Sequence, residues 1–164
     1  LKPPFNVISV DKNHSFIPLA EGKEMSIKEI LKSHPKGKEY AHLMENMNKY
    51  PVIIDSDDKV LSFPPIINGD HTTVTEDTKD FFIDVTGWDE RSCEACLLLI
   101  CLSLAERGGK VESIQLKNWD GEKTYVPRGN SKIHKVPDRL IEKILGMSLN
   151  KKRLQNQLRK WVAL

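Results

Sequence analysis

The sequence predicts an α+β domain, a mixed arrangement of sheet and helices, with a C-terminal helical extension. Strand-like and amphipathic stretches follow one another without strict βαβ alternation, which is typical of antiparallel sheet packed with helices. The 164 residues are 39% hydrophobic and 29% charged, as in soluble globular proteins. This length suits one domain, or one domain with part of a second.

The first half of the chain alternates short strands with short helices. Ser26 is a candidate cap for the first helix, and His34-Pro35 ends it. The predicted elements are a strand over 1–19 with a turn at 11–13, helices over 25–33 and 38–47, a hairpin of strands 50–54 and 59–63 around the turn 55–58, and an apolar strand over 81–85.

The second half contains the clearest helix. It is predicted over 91–107, with a capping box at 86–89 and a stop at Gly108-Gly109. Its apolar stretch from 95 to 104 predicts that it is well buried. Asp120-Gly121 predicts a hairpin between strands 111–116 and 123–126. Two further helices, 138–145 and 149–162, are separated at Gly146, and Ser148 is a candidate cap for the second.

An apolar, proline-rich run at 60–71, VLSFPPIINGDH, is the most unusual part of the chain. Two adjacent prolines fix two φ angles and remove two backbone donors, and Phe63 before them is biased toward an extended conformation. The run predicts a stiff apolar ledge that ends in Asn68, Asp70 and His71. Such a ledge suits a pocket wall. The alternative, which the residues alone favour, is a hydrophobic crossing between two strands.

Charge and cysteine content narrow the function classes. The net charge of +2 does not by itself indicate a nucleic-acid-binding protein, although residues 151–160 hold five basic and no acidic side chains. That run could contact RNA phosphate, but a solvated helix face is the commoner explanation and is favoured. Cys93, Cys96 and Cys101 fall in one predicted helix, which indicates a reducing compartment and packing rather than a disulfide or zinc site.

No run is long enough for a transmembrane helix, and the start, LKPPF, is not a signal peptide. We therefore expect a cytoplasmic fragment of a longer protein. The paired C-terminal helices could be mistaken for a DNA-binding helix-turn-helix, but two packed helices are the commoner explanation.

Asp84 and Thr86 are the first candidates for catalytic residues. They stand at i and i+2 of the predicted strand and would project to one face, close to the N-terminus of the following helix, where negative groups are favoured. The alternative is that Thr86 only caps the helix and Asp84 only supports it. No serine or cysteine sits in a nucleophile motif, and the histidines lack metal-ligand spacing, so we expect neither a catalytic triad nor a metal. The five histidines are His14, His34, His42, His71 and His134.

Several strings of the sequence resemble one family. YPVIID at 50–55, VLSFPPIINGDH at 60–71 and FIDVTG at 82–87 closely resemble the B3/B4 editing domain of the phenylalanyl-tRNA synthetase β subunit, in its archaeal and eukaryotic form. HPKGKEYAHL at 34–43 is similar to the same pattern. The likeness covers 1–126. The stretch 127–137 is then a linker, and 138–164 resembles the start of the next module, cut short.

The resemblance implies hydrolysis of tyrosine from tRNA(Phe) by a positioned water. A pocket for phenylalanine cannot strongly exclude tyrosine, whereas a second pocket that hydrogen-bonds the hydroxyl rejects phenylalanine. It implies catalytic roles for Asp84 and Thr86. It also implies a group of substrate-binding residues: Ser62, Asn68, Ile53, Ile54 and His71. Of the two isoleucines, either one could face the substrate. His71 either positions water or is only a surface residue.

The family also implies partners and cofactors. The expected partners are the 3′ end of tRNA(Phe) carrying tyrosine and, in the full heterotetramer, the synthetase α subunit. No cofactor is expected for this fragment, while ATP and Mg belong to the full synthetase. No DNA or membrane is expected as a partner. Two alternatives stay open: a non-catalytic module that positions tRNA or the partner subunit, and a freestanding relative that acts on another aminoacyl ester or small molecule.

Overall fold

The computed structural model describes residues 1–129 and 135–162. In the second of these ranges, side chains are described only up to residue 159. These residues form two compact units, Leu1–Phe82 and Ile83–Leu164. The division falls inside the predicted domain 1–126. The boundaries of that domain, of the linker 127–137 and of the module 138–164 remain predictions. No helix in the described ranges is both long and apolar enough to cross a membrane.

The first unit is built on a four-stranded antiparallel sheet with strand order β1-β4-β5-β6. A two-stranded sheet, β2-β3, accompanies it. Both the predicted hairpin and the turn within 1–19 are confirmed. The elements of this unit are β1 (Asn6–Val10), β2 (Ser15–Phe16), β3 (Met25–Ser26), α1 (Ile27–Ser33), α2 (Pro35–Tyr40), a 3-10 turn (Ala41–Met44), β4 (Tyr50–Ile54), β5 (Val60–Phe63), β6 (Ile67–Asn68) and a 3-10 turn (Asp70–Thr72).

The helices of the first unit have side-chain caps. Ser26 and Glu29 form a reciprocal capping box at the start of α1, which confirms Ser26 as the cap. His34 ends α1 and also caps α2, because its Nδ1 accepts from the backbone N–H of Lys36 at 3.1 Å. The predicted second helix therefore starts three residues early, since Pro35 suits the first helical position, and its final turn is a 3-10 helix.

The core of the first unit lies between one sheet face and the helices. Val52, Ile27 and Ile30 are fully buried there, and so is Phe63. Gly37 in α2 permits close helix contact, because a Cβ at that position would lie 1.8 Å from the carbonyl oxygen of Ile30.

The second unit contains α3 (Glu90–Glu106), β7 (Ile114–Lys117), β8 (Lys123–Val126), α4 (Asp138–Leu145) and α5 (Lys151–Val162). β7 and β8 form the predicted hairpin, with Gly121 in the left-handed region. Gly108 ends α3 and Gly146 ends α4, both at positive φ. The helix expected over 149–162 begins later, and Asn150 rather than Ser148 caps it by accepting from the Arg153 backbone N–H at 3.0 Å.

Three expectations near α3 are wrong. Residues 81–85 form no strand, because no neighbouring strand of the described chain pairs with them, and the Phe82 ring instead packs on Phe5 with centroids 4.2 Å apart. The cap of α3 is Asp89, whose carboxylate accepts from the Ser92 N–H, and not Thr86. The helix is also not well buried. Of its residues only Cys101 is buried, while Leu99 is 66% exposed.

Candidate functional site

A row of side chains crosses the sheet of the first unit, outside the main hydrophobic cluster. Ile53 of β4 pairs in register with Ser62 of β5, and Ser62 pairs with Asn68 of β6. Directly opposite residues of antiparallel strands project to the same face. We call Ile53, Ser62 and Asn68 the polar row. Ile54, by contrast, belongs to the hydrophobic core, so Ile53 is the isoleucine that shares a face with the predicted polar residues.

The polar row contains a preformed hydrogen bond. The Ser62 hydroxyl donates to Asn68 Oδ1 at 2.9 Å. Ser62 is only 5% exposed, whereas Asn68 is exposed. The bond occupies the amide oxygen of Asn68 and leaves its Nδ2 donors available to a ligand. The row therefore offers an oriented hydrogen-bond donor beside the buried apolar side chain of Ile53.

The proline-rich ledge is a strand, a tight turn and a second strand. The backbone N–H of Ile66 donates to the Phe63 carbonyl at 2.8 Å, which closes the turn around Pro64-Pro65. Phe63 and Ile66 pack into the core. The structure thus bears out the crossing between two strands, and the same crossing brings the Ser62 and Asn68 side chains together.

The end of the ledge is fixed by the segment before α1. The N–H of Asp70 donates to the Ile17 carbonyl at 2.8 Å, and the Asp70 carboxylate accepts from the N–H of Ala20 at 3.0 Å. Ala20 has a φ of +65°, a conformation that a side-chain-bearing residue rarely adopts without such support. Position 69, directly before Asp70, requires glycine, because a Cβ there would lie 2.3 Å from the Val60 carbonyl oxygen. Asp70 is therefore a structural anchor for the polar row.

His71 follows this anchor and lies at the surface. Its ring packs closely on Gly69: a Cβ added at position 69 would lie 3.2 Å from the Cε1 and Nδ1 atoms of His71. Burial lowers the pKa of His71 below its ordinary value, and the carboxylate of Asp55 only partly opposes this effect. The imidazole is consequently neutral at pH 7 and can accept a hydrogen bond.

Asp55 was not singled out from the sequence, although its turn was. It is 3% exposed, and its Oδ1 accepts from the backbone N–H groups of Asp57 and Lys59 at 3.0 and 3.1 Å. Burial raises the pKa of this carboxyl, but those backbone donors outweigh burial and hold it below its ordinary value. An acidic residue opening a turn is the sequence signal that could have identified it. Asp55 stabilises the β4–β5 turn beside the polar row.

Asp84 and Thr86 lie in the second unit, in the irregular segment that leads into α3. Both residues are exposed. Partial burial of the Asp84 carboxyl group nevertheless raises its pKa above its ordinary value. Since the segment is not a strand, the argument that the two side chains share a strand face does not apply. Their roles remain predictions.

The described residues contain no group of three or more His, Cys, Asp or Glu side chains that could hold a metal. His34 is buried, and its Nε2 lies 3.2 Å from a carboxylate oxygen of Glu21, so its two ring nitrogens serve the fold. His134 lies outside the described residues.

Comparison with known proteins identifies similar chains. The family model for the B3/4 domain matches residues 2–96. The phenylalanine–tRNA ligase beta subunit of Methanosarcina barkeri is 44% identical over 96% of this chain and 29% of its own length. The corresponding subunit of Archaeoglobus fulgidus is 43% identical over 96% of this chain and 28% of its own length.

A solved structure also matches. An N-terminal fragment of the phenylalanyl-tRNA synthetase beta subunit from Pyrococcus horikoshii superposes with a TM-score of 0.83, at 40% identity, over 98% of this chain and 46% of that fragment. The chain spans under a third of the length of the curated relatives named above. The match of residues 2–96 includes every residue predicted for the site.

Proposed function

The chain belongs to the B3/4 domain family, and from this premise we propose that it is the editing domain of a phenylalanine–tRNA ligase beta subunit. Its reaction is the hydrolysis of tyrosine from tRNA(Phe). The observation that carries the proposal is the polar row, where the Ser62–Asn68 hydrogen bond stands beside the buried Ile53 within the family match. The expected partners are the 3′ end of the tRNA and, in the full enzyme, the alpha subunit, and the expected location is the cytoplasm.

The polar row suits the recognition of a phenolic hydroxyl. Asn68 can donate to the hydroxyl oxygen through Nδ2, while the aliphatic side chain of Ile53 accommodates the aromatic ring. Bound phenylalanine would bury that donor without giving it a partner, and a polar group buried without a partner costs about 1–3 kcal/mol. This penalty corresponds to roughly 5- to 150-fold discrimination, in favour of removing the wrong amino acid and sparing the correct one.

The chemistry needs few groups, because an aminoacyl ester is already activated. In this proposal Asp84 and Thr86 are the catalytic residues. Partial burial raises the pKa of Asp84, which makes its carboxylate a stronger base toward a water molecule than an ordinary aspartate. His71, neutral at pH 7, orients the attacking water by accepting a hydrogen bond. No cofactor is required for this step, and ATP and Mg serve aminoacylation in the full synthetase.

A second candidate is a non-catalytic module that positions tRNA or the partner subunit. The basic surface of α5 and the exposed apolar side chains of α3 favour it. A positioning module would belong to the same family but would not hydrolyse aminoacyl-tRNA, so an activity assay distinguishes the two candidate functions.

The experiment is to measure deacylation of tyrosyl-tRNA(Phe) and phenylalanyl-tRNA(Phe) by the 164-residue chain. Asn68→Ala should reduce tyrosine release and narrow the preference for tyrosine, and Asp84→Ala should abolish release while the fold survives. Matched controls are Asn48→Ala and Asp80→Ala, which change exposed residues of the same types. Equal release of both amino acids by the folded wild type would contradict the proposal, and so would full activity in both site variants.

If the isolated chain releases neither amino acid, the same substitutions are placed in the complete synthetase. Loss of tyrosine clearance there would support the editing site, and unchanged clearance in every variant would assign the chain to the positioning role.

A further inference from the structure

We propose that one face of α5 is a phosphate-binding surface that contacts the backbone of an RNA. We call this surface the cationic face and define it as Lys152, Arg153, Asn156, Gln157 and Arg159. The proposal rests on the proposed function only for the choice of RNA as the source of the phosphates. It concerns a region beyond the family match at residues 2–96.

The charges of the cationic face are not neutralised within the described chain. Lys151, the first residue of α5, forms an ion pair with Asp138 of α4. Among the residues that the structure describes, no carboxylate lies within ion-pair distance of Lys152, Arg153 or Arg159. Since 151–160 contain no acidic residue, the helix itself supplies no counter-charge. Three positive charges thus stand together in solvent.

Helical geometry places these charges on one side. Lys152, Asn156 and Arg159 are spaced i, i+4 and i+7, which is one helix face, and Arg153 and Gln157 lie next to them. Leu154 and Leu158 lie on the other side, and Leu154 is partly buried. Lys152 and Arg159 are separated by about 10 Å along the helix axis.

The residues around this face are all hydrogen-bond donors without a competing carboxylate. Together with Asn150 they border a shallow, open depression of about 560 Å³ on the surface of α5, lined by Asn150, Lys152, Arg153, Asn156, Gln157 and Arg159. Guanidinium groups bind phosphate with two parallel hydrogen bonds, and amide side chains commonly donate to phosphate and sugar oxygens. A surface of this composition, with cations and amide donors side by side, suits the phosphate and sugar oxygens of a nucleic-acid backbone.

The contact is predicted to be independent of sequence and sensitive to salt. Each neutralised phosphate of a duplex releases counterions and makes the slope of log affinity against log salt concentration more negative by about 0.9. Replacing the three charges should make that slope less steep by about 2.7. Between about 50 mM and about 200 mM salt, the wild type should therefore lose roughly 40-fold more affinity than the variant.

The test uses the complete 164-residue chain and a fluorescently labelled, uncharged tRNA(Phe) transcript. Binding is followed by anisotropy over a series of salt concentrations. The variant is K152Q/R153Q/R159Q, in which glutamine preserves helix propensity. The control is K23Q/K28Q/K32Q, which removes three exposed charges from the first unit. Circular dichroism verifies that both variants retain their helical content.

The expected result is weaker binding and a less steep slope in the α5 variant only. An unchanged slope in that variant, or an equal fall in both variants, would overturn the proposal. Binding of the wild type to vesicles with anionic lipids but not to RNA would also overturn it and would assign the face to a membrane surface. Because the transcript carries no aminoacyl ester, RNA binding and hydrolysis are separate results, and either can fail alone.

Discussion

Breaking the Ser62–Asn68 hydrogen bond should lower the free energy of unfolding of the first unit by an amount that depends on which partner is truncated. Truncating Asn68, the more exposed residue, should cost more than truncating Ser62. Ser62→Ala leaves the Asn68 amide at the surface, where water can replace the lost partner, so the cost is that of one neutral hydrogen bond, about 0.5–1.5 kcal/mol. Asn68→Ala instead leaves the buried Ser62 hydroxyl unpaired, which costs about 1–3 kcal/mol.

The double variant should lose less than the sum of the two single changes. Once either partner is gone the bond is already broken, so we expect a coupling energy of about 1 kcal/mol. Ser9→Ala and Asn6→Ala serve as controls, since both residues are exposed on β1 and their substitution should change stability by less than about 0.5 kcal/mol.

Amide hydrogen exchange in β4 and β5 is the suitable assay. All three tryptophans, Trp88, Trp119 and Trp161, belong to the second unit, so a probe within the first unit itself is needed. Exchange of the strand amides gives the free energy of opening at the site itself. Additive effects, within about 0.3 kcal/mol, would refute a coupled pair. A larger loss from Ser62→Ala than from Asn68→Ala would refute the reasoning from burial.

Three further perturbations test the fold and the titration. Gly37→Ala should destabilise the first unit by about 1–3 kcal/mol, because its Cβ would meet a carbonyl oxygen of α1 at 1.8 Å, while Lys38→Ala on the same helix should be nearly neutral in a urea titration followed by hydrogen exchange. The folded pKa of His71 lies below its ordinary value of 6.5, so the unfolded chain binds its proton first and stability should fall as pH drops below that value. Melting temperatures at about pH 7.5 and about pH 5.5 should differ less for His71→Gln than for the wild type, and an equal difference would show that His71 does not titrate this way. In the same urea titrations Phe63→Ala should cost about 3–5 kcal/mol and Leu99→Ala under about 1 kcal/mol, because the first is fully buried and the second is 66% exposed; similar losses would mean that α3 is covered in solution.

Local signals predicted most of the elements. The strand at Tyr50–Ile54, the turn after it, the cap at Ser26 and the helix ends at Gly108 and Gly146 each follow from a few neighbouring residues. The family was also predicted from short strings and is confirmed. These features depend on propensity, capping and turn chemistry, which short stretches of sequence encode.

The errors arose where the outcome depends on distant parts of the chain. Residues 81–85 have strand composition, but a strand forms only with a pairing partner. The apolar stretch of α3 predicts burial, yet its exposure is decided by what packs against it, which periodicity does not reveal. The candidate site shows the same division. The sequence could suggest Ser62 and Asn68, but only strand register identifies Ile53 rather than Ile54 as their neighbour.

The polar row comes from a single continuous stretch of the chain, residues 53–68. Its members are joined by two short hairpin connections, so bringing them together closes loops of only a few residues, and the entropy of loop closure grows with the logarithm of loop length. Contacts of such low contact order form without waiting for distant segments to meet. The polar row can therefore assemble early in folding, before the anchor between Asp70 and the distant segment at Ile17 and Ala20 is made.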